Sequence, residues 1–152
     1  MSVFFGFIYH FDYAATGFKQ DWLDAVTKVF HACADIFLLL LLKHAVVDLW
    51  LQSYNGIVQK TVYVSNAHKH YLQHAIFTFA VLFFFGPVEY VLLATFLDYV
   101  AHWHIDLVKS RIVQHFEVDR QSSTFWTIQA VDQALHYLTY FLIVILHQQY
   151  VV

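Results

Sequence analysis

The sequence predicts an all-α polytopic membrane protein: a bundle of four transmembrane helices with an interfacial N-terminal segment. Hydrophobic residues make up 60% of the 152 residues and charged residues only 12%, whereas soluble proteins average about 45–50% and about 25%. Polar residues inside the apolar stretches recur every four positions, which places them on one face of a helix. We therefore expect a single membrane domain over residues 1–152, whose helices turn polar faces toward each other.

The four spans are assigned from the apolar runs. Residues 1–20 are aromatic and contain Gly6 and Gly17, so we expect an irregular interfacial lead-in that is not a secretory signal. Asp21 suits the positive N-terminal end of the helix that leads into the first span. The predicted spans are about 29–52, 67–85, 88–110 and 124–148, where a bilayer crossing needs roughly 20 residues.

Turn-forming residues separate these spans. Asn55-Gly56 marks a turn, and residues 57–64 alternate as a short extended or re-entrant piece would. Gly86-Pro87 predicts a tight reversal before the third helix. The polar connection 110–124 is expected to be a surface loop, and a Ser or Thr within 122–124 is expected to cap the fourth helix.

Basic residues predict the orientation in the membrane. Five of them flank the first and third connections, and none lies at the second turn or at the C-terminal end. They are Lys60, Lys69, Lys109, Arg111 and Arg120. By the positive-inside rule both connections face the cytoplasm, so both termini are predicted outside, with the chain in the inner (cytoplasmic) membrane of the cell.

Pairs of His and Asp four residues apart are the most unusual feature of the sequence. Random placement predicts about 2.6 such pairs on a helix face. The sequence has seven, at positions 31/35, 44/48, 70/74, 98/102, 102/106, 115/119 and 132/136. The pairs within the four spans fall in the cytoplasmic half of each span, which predicts that they converge. His31 and Asp35 lie about 20 Å from the 44/48 pair along the helix axis, so we interpret them as a surface or partner contact.

Converging imidazole and carboxylate groups are typical ligands of a divalent metal ion. Zinc is the expected ion, with manganese or iron as alternatives, and a thiolate site is disfavoured because the single cysteine, Cys33, lies elsewhere. His104 points away from His102 on the same helix and is left out. The predicted metal ligands are His44, Asp48, His70, His74, His102, Asp106, Asp132 and His136.

Three polar neighbours of these pairs have less specific interpretations. Gln52 and Gln133 either orient the ligands or join helices through hydrogen bonds. Lys109 would suit a phosphate group, but snorkelling of its ammonium group to the lipid headgroups is the expected role.

The motifs themselves resemble a known pattern. The sequence His44-x-x-x-Asp48-x-x-x-Gln52, followed by HKHYLQHA, HWHIDLVKSR and Asp132-Gln133-x-x-His136, resembles a family of small polytopic membrane proteins of unknown function from bacteria and tailed phages. The likeness covers most of residues 40–145. It implies a membrane protein whose His and Asp motifs are its signature, without implying an activity. More loosely, the motifs are similar to those of membrane-bound metal-dependent hydrolases.

Two classes of function remain open. The first is a metal-dependent hydrolase, in which a metal-activated water attacks a phosphoester or lipid headgroup and a spare Asp acts as base. The second is non-enzymatic: a membrane assembly subunit, or an ion or proton conduit that uses the same His and Asp residues. A haem held between histidines is a third, more distant alternative.

The expected partners follow from the same composition. They are membrane lipids, with a homo-oligomer or a larger membrane complex as further options. Nucleic acid is not an expected partner, because the net charge of −3 provides no basic surface.

Overall fold

The computed structural model describes the backbone of residues 2–51, 60–61 and 67–151, and within those ranges the side chains from residue 20 to residue 150. The predicted turn at Asn55-Gly56, most of the 57–64 stretch and Gln52 lie outside the described residues.

The described backbone is helical, which confirms the all-α prediction. Within the described ranges there is no strand. Helix α1 covers Ser2–Val46 and continues into a π-helical turn, Val47–Leu51. Helix α2 covers His68–Leu82, α3 covers Val88–His115 and α4 covers Ser123–Val151.

The N-terminal segment differs from the prediction. Residues 1–20 were expected to be irregular, but α1 begins at Ser2 and passes through both glycines. A glycine inside a helix costs only about 1 kcal/mol relative to alanine. Two isolated glycines therefore do not end a helix in which most of the other positions are aromatic or aliphatic.

Within the described residues, three helical segments are long and apolar enough to cross a membrane, whereas four spans were predicted. They are Gln20–Leu51, Val88–His115 and Ser123–Tyr150. Helix α2 has 15 residues, which at 1.5 Å per residue gives a length of about 22 Å, short of the roughly 30 Å hydrocarbon core. The predicted crossing at 67–85 is therefore shorter than its apolar sequence suggests.

The reversal between α2 and α3 lies at Gly86-Pro87, as predicted. Pro87 has an extended backbone and immediately precedes the first residue of α3. A Cβ atom at Gly86 would lie 2.7 Å from the Tyr90 ring, and Tyr90 is fully buried. Position 86 therefore has no room for a side chain unless the Tyr90 ring moves.

The second unit of the chain contains the helix packing that forms the site. The chain divides into two compact units, Met1–Ala34 and Asp35–Val152. In the second unit α3 packs between α2 and α4, and the π-helical turn contacts α2.

The distribution of polarity in this unit is the reverse of that in a soluble protein. Among the described residues 12 polar or charged side chains are buried, nearly as many as the 14 apolar ones. Large apolar side chains such as Trp50, Phe84 and Phe96 are instead exposed on the outside of the helices. An apolar exterior around a polar interior suits a lipid environment.

One stability prediction arises at the start of α4. The Ser122 hydroxyl accepts a hydrogen bond from the backbone N–H of Phe125 at 3.2 Å, as the predicted cap would. Ser122→Ala should lower the free energy of unfolding by about 1 kcal/mol. Denaturant titration in detergent micelles measures the change. Ser123→Ala is the matched control, because the exposed neighbour does not cap the helix, and equal stability of the two variants would contradict the assignment.

Candidate metal centre

The predicted ligands converge in the second unit. The histidines at positions 44, 70, 74, 102 and 136 are all buried, and they come from four different helices. The His102 ring lies 3.9 Å from the His74 ring and 4.3 Å from the His136 ring, measured between centroids. The His44 ring lies 5.4 Å from the His102 ring. The histidines of the predicted ligand set therefore lie close together although they come from different helices.

One group of donors forms a closed inner cluster. His44, His74 and His102 can each offer a nitrogen such that the three atoms lie within 4.8 Å of one another. His44 Nδ1 and His102 Nε2 are 3.2 Å apart. The hydroxyl of Tyr140 lies 2.8 Å from His44 Nδ1 and 3.3 Å from His102 Nε2. We call His44, His102 and Tyr140 the inner group, and His74 belongs to the group described next.

A second group of donors surrounds the carboxylate of Asp48. Its Oδ1 lies 3.1 Å from His74 Nε2 and 3.4 Å from His70 Nε2. Its Oδ2 lies 3.2 Å from His44 Nε2. The Asp48 side chain is 27% exposed, whereas the histidines that contact it are buried. We call Asp48, His70 and His74 the outer group.

A buried ion pair lies beside the histidines. Lys43 Nζ is 2.7 Å from Asp98 Oδ2, and neither side chain is exposed by more than 2%. Thr78 donates a hydrogen bond of 2.6 Å to the same oxygen. Asp98 Oδ1 lies 3.0 Å from His102 Nδ1. The pair therefore connects α1, α2 and α3 directly behind His102.

Two of the predicted ligands are held by lysines. Asp106 Oδ2 binds Lys60 at 2.5 Å, and Asp132 Oδ2 binds Lys109 at 2.8 Å. Lys109 also approaches Asp106 Oδ1 at 3.4 Å, so the expectation that it snorkels to the headgroups is wrong. Asp106 and Asp132 are therefore engaged by ammonium groups and lie outside the two donor groups described above. Asp132 Oδ1 is buried and has no hydrogen-bond partner among the described residues.

A cavity of about 510 Å³ opens beside the outer group. Three carboxylates and three cationic side chains line it: Asp48, Asp106, Asp132, Lys60, Lys109 and Arg120. His136 also lines it, and donates from Nδ1 to the backbone carbonyl of Asp132 at 2.8 Å. The cavity gives a ligand a route to Asp48, whereas no residue of the inner group borders it. Gln133, whose Oε1 lies 3.1 Å from His44 Nε2, does line the cavity.

Two histidines that were left out of the predicted ligand set are exposed. His104 is exposed and its Nδ1 binds the backbone carbonyl of Val100, as expected for a residue outside the cluster. His31 is exposed in the first unit.

Several residues of the site were missed. Tyr140 and Thr78 lie four residues after His136 and His74, so the same four-residue spacing predicts them once hydroxyl groups are counted. Asp98 has that spacing to His102 but was not assigned to the site. Lys43 and Lys60 carry no such signal, because a lysine near the end of an apolar stretch is usually a headgroup contact.

Comparisons with known protein families, curated proteins and solved structures give no match to this chain. The resemblance to small polytopic phage and bacterial proteins therefore stays a prediction. The function has to be argued from the geometry of the site alone.

Proposed function

We propose that this chain is an integral membrane protein that binds a divalent metal ion at the outer group and hydrolyses a phosphoester, such as a lipid headgroup. Membrane insertion is supported by the three long apolar helical segments and by the apolar exterior around a polar core. The α2 helix, with its polar N-terminal half inside the bundle, completes the four-helix arrangement at the cytoplasmic side. Zinc is the ion we expect, with manganese or iron as alternatives.

The observation that carries the proposal is the position of Asp48. Its carboxylate is shared by His70 and His74 on one oxygen, and it also forms part of the cavity wall. One carboxylate and two imidazoles are a common ligand set for catalytic zinc, which keeps a further position open for water. Because Asp48 lines the cavity, a water molecule that completes this ligand set would be reached from the cavity.

The substrate class is suggested by the cations of the cavity. Lys60 and Lys109 each use part of their hydrogen-bonding capacity on aspartates, and an ammonium group has three donors. Arg120 lines the same cavity from the connection before α4. These groups suit the oxygens of a phosphoryl group, and a cavity at the depth of the headgroups would admit a lipid from the bilayer.

The chemistry assigns distinct roles to the residues of this chain. A water molecule attacks phosphorus, the P–O bond to the leaving alcohol breaks, and the proton of the water passes through a carboxylate to the leaving oxygen. The unpartnered Oδ1 of Asp132 is the best-placed acceptor for that proton. The metal ion, when bound, acidifies the water and offsets the charge that develops on the phosphoryl oxygens.

A proton conduit is the second candidate, favoured by a continuous polar chain. Polar contacts of 2.6–3.2 Å lead from Asp132 through Gln133, His44, His102 and Asp98 to Thr78. A conduit would move protons without a metal ion. Proton flux into liposomes that persists in the presence of a strong chelator would favour this candidate over the hydrolase.

Asp48→Asn tests the proposed function directly. Because the amide cannot supply the charge of the carboxylate, we expect the outer metal ion to be lost and hydrolysis to fall to background. Metal content is measured on detergent-purified protein by elemental analysis, and hydrolysis with a chromogenic phosphomonoester, a phosphodiester and phosphatidylglycerol vesicles.

His104→Gln is the matched control for this test. The residue is exposed, lies on α3 and is outside the site, so metal content and hydrolysis should both stay at the wild-type level. A wild-type protein without metal, or Asp48→Asn protein with full activity, would remove the hydrolase proposal.

A further inference from the structure

The hydrogen bonds of His102 determine which of its nitrogens carries a proton. Its Nδ1 lies 2.9 Å from the backbone carbonyl of Asp98 and 3.0 Å from a carboxylate oxygen of the same residue. Both partners are acceptors only, so Nδ1 must be the N–H donor. The neutral ring therefore presents a lone pair at Nε2.

The hydrogen bonds of His44 likewise determine which of its ring nitrogens carries the proton, and here it is Nε2. Its Nε2 lies 3.1 Å from Gln133 Oε1 and 3.2 Å from Asp48 Oδ2. The Gln133 amide is oriented by its Nε2, which donates to Asp132 at 3.2 Å, so its oxygen faces His44. Nε2 of His44 is then the N–H donor, and the neutral ring presents a lone pair at Nδ1.

These two lone pairs face each other inside the bundle. His44 Nδ1 and His102 Nε2 are 3.2 Å apart, and the two residues are 3% and 1% exposed. The Tyr140 hydroxyl lies near both nitrogens but has one proton, and donates it to His44 at the shorter distance of 2.8 Å. His102 Nε2 is left facing two acceptors with no donor among the described residues. Such an arrangement is unfavourable unless a cation lies between the acceptors.

We propose that the inner group is a second metal site, in which His44 Nδ1, His102 Nε2 and the Tyr140 oxygen bind one divalent transition-metal ion. This site is separate from the outer group of the proposed function, because it uses different donor atoms and its existence does not depend on any hydrolysis. Its role is to join α1, α3 and α4 around one ion.

The donor separations agree with this assignment. Zinc–nitrogen bonds of about 2.0–2.1 Å at tetrahedral angles place neighbouring ligand atoms roughly 3.3 Å apart. The three donor atoms of the inner group are separated by 2.8, 3.2 and 3.3 Å. His74, whose ring is stacked on His102, is close enough to supply a fourth ligand.

A shared proton is the competing explanation for the facing nitrogens. One proton would satisfy a single nitrogen pair and leave a cationic ring packed among the other imidazoles and near Lys43, which lies 4.8 Å from the Tyr140 ring centroid. A metal ion engages three or four of these donors at once and keeps every ring neutral. The number of converging donors therefore favours metal over a proton.

The test measures how many ions each variant holds. Detergent-purified protein is loaded with Zn²⁺ or Co²⁺ alone and dialysed, and bound metal is counted by elemental analysis. We expect two ions per chain in the wild type, one in His102→Gln and one in His70→Gln, since His70 belongs only to the outer group. Co²⁺ in His70→Gln protein should give the intense visible absorption of a tetrahedral site. His104→Gln, on the same helix as His102, should keep both ions.

Tyr140→Phe provides a variant of nearly unchanged shape. It removes one donor atom from the inner group, so the inner ion should exchange at least tenfold faster in competition with a chelator, while the outer ion is unaffected. This variant keeps the test decisive if His102→Gln does not fold.

Two results would overturn the inference. In the first, the wild type holds a single ion, which His70→Gln protein loses and which both His102→Gln and Tyr140→Phe protein retain. That result removes the inner site but leaves the hydrolase proposal intact. The other is a ¹⁵N spectrum of zinc-loaded protein in which a proton is attached to His102 Nε2. If two ions bind but no phosphoester is cleaved, the proposed function fails and the second metal site stands.

Discussion

Lys43→Met should destabilise the protein by about 3–5 kcal/mol, the cost of leaving a buried charge without its partner. Lys43 and Asp98 are 4% and 0% exposed, and their 2.7 Å ion pair is enclosed between three helices. Among the described residues, Thr78 and His102 are the polar partners that the Asp98 carboxylate would keep without the ammonium group. Denaturant titration in micelles, followed by circular dichroism, measures the loss.

Removing both charges should be much less harmful than removing one. In Lys43→Met/Asp98→Asn protein no uncompensated charge remains, so we expect most of the lost stability to return. Lys28→Met controls for the loss of a lysine from the same helix, because Lys28 is exposed and should change stability little. If the single and double variants are equally unstable, the cost comes from packing and not from charge.

Asp132→Asn should reduce the rate of phosphoester hydrolysis by about 100-fold or more while the metal ions stay bound. A general base typically contributes 10²–10⁴-fold to a rate, and the amide cannot accept the proton that the attacking water releases. Asp132 binds Lys109 and is not part of either metal group, so metal content should be unchanged. The comparison requires kcat and elemental analysis on the same preparation.

Asp119→Asn is the control for this substitution. Asp119 is exposed in the connection before α4, where its side-chain oxygen accepts a hydrogen bond from the backbone of Gln121, and an asparagine oxygen does the same. Loss of metal together with activity in Asp132→Asn would show that the residue is a ligand, as the sequence pattern predicted. Unchanged activity would show that another group takes the proton.

The helices could be predicted from the sequence more accurately than their ends and crossings. The starts of α3 and α4 were placed correctly to within one residue, because Pro87 and Ser122 have specific roles before a helix. The beginning of α1 was placed incorrectly, since glycine was given more weight than its helix cost of about 1 kcal/mol deserves. The length of α2 could not be derived from an apolar run, since the chain turns at Phe83–Phe85 without any polar residue to mark the end.

The convergence of the histidines could be predicted, but the pairing of the aspartates could not. A four-residue spacing shows which side chains share a face of one helix, and it carries no information about which residue of another helix lies opposite. Lys60, 46 residues before Asp106 in the sequence, is brought to that carboxylate only by the packing of the second unit. The role of Lys43 could not be predicted either. It is adjacent to His44, so it lies about 100° around the helix from the face that carries the predicted ligands.

In the membrane protein that we propose, the buried ion pair has a consequence for biogenesis. Helix α3 is the least apolar of the three candidate spans and carries Asp98 near its middle, and an aspartate at the centre of a span opposes membrane insertion by about 2.5–3.5 kcal/mol. The lysine that neutralises it is 55 residues earlier, in a more apolar helix that emerges from the ribosome first. Helix α1 would then be in the bilayer first, with its Lys43 unpaired. Insertion of α3 would bring Asp98 to this lysine, so α3 would depend on α1 for efficient insertion.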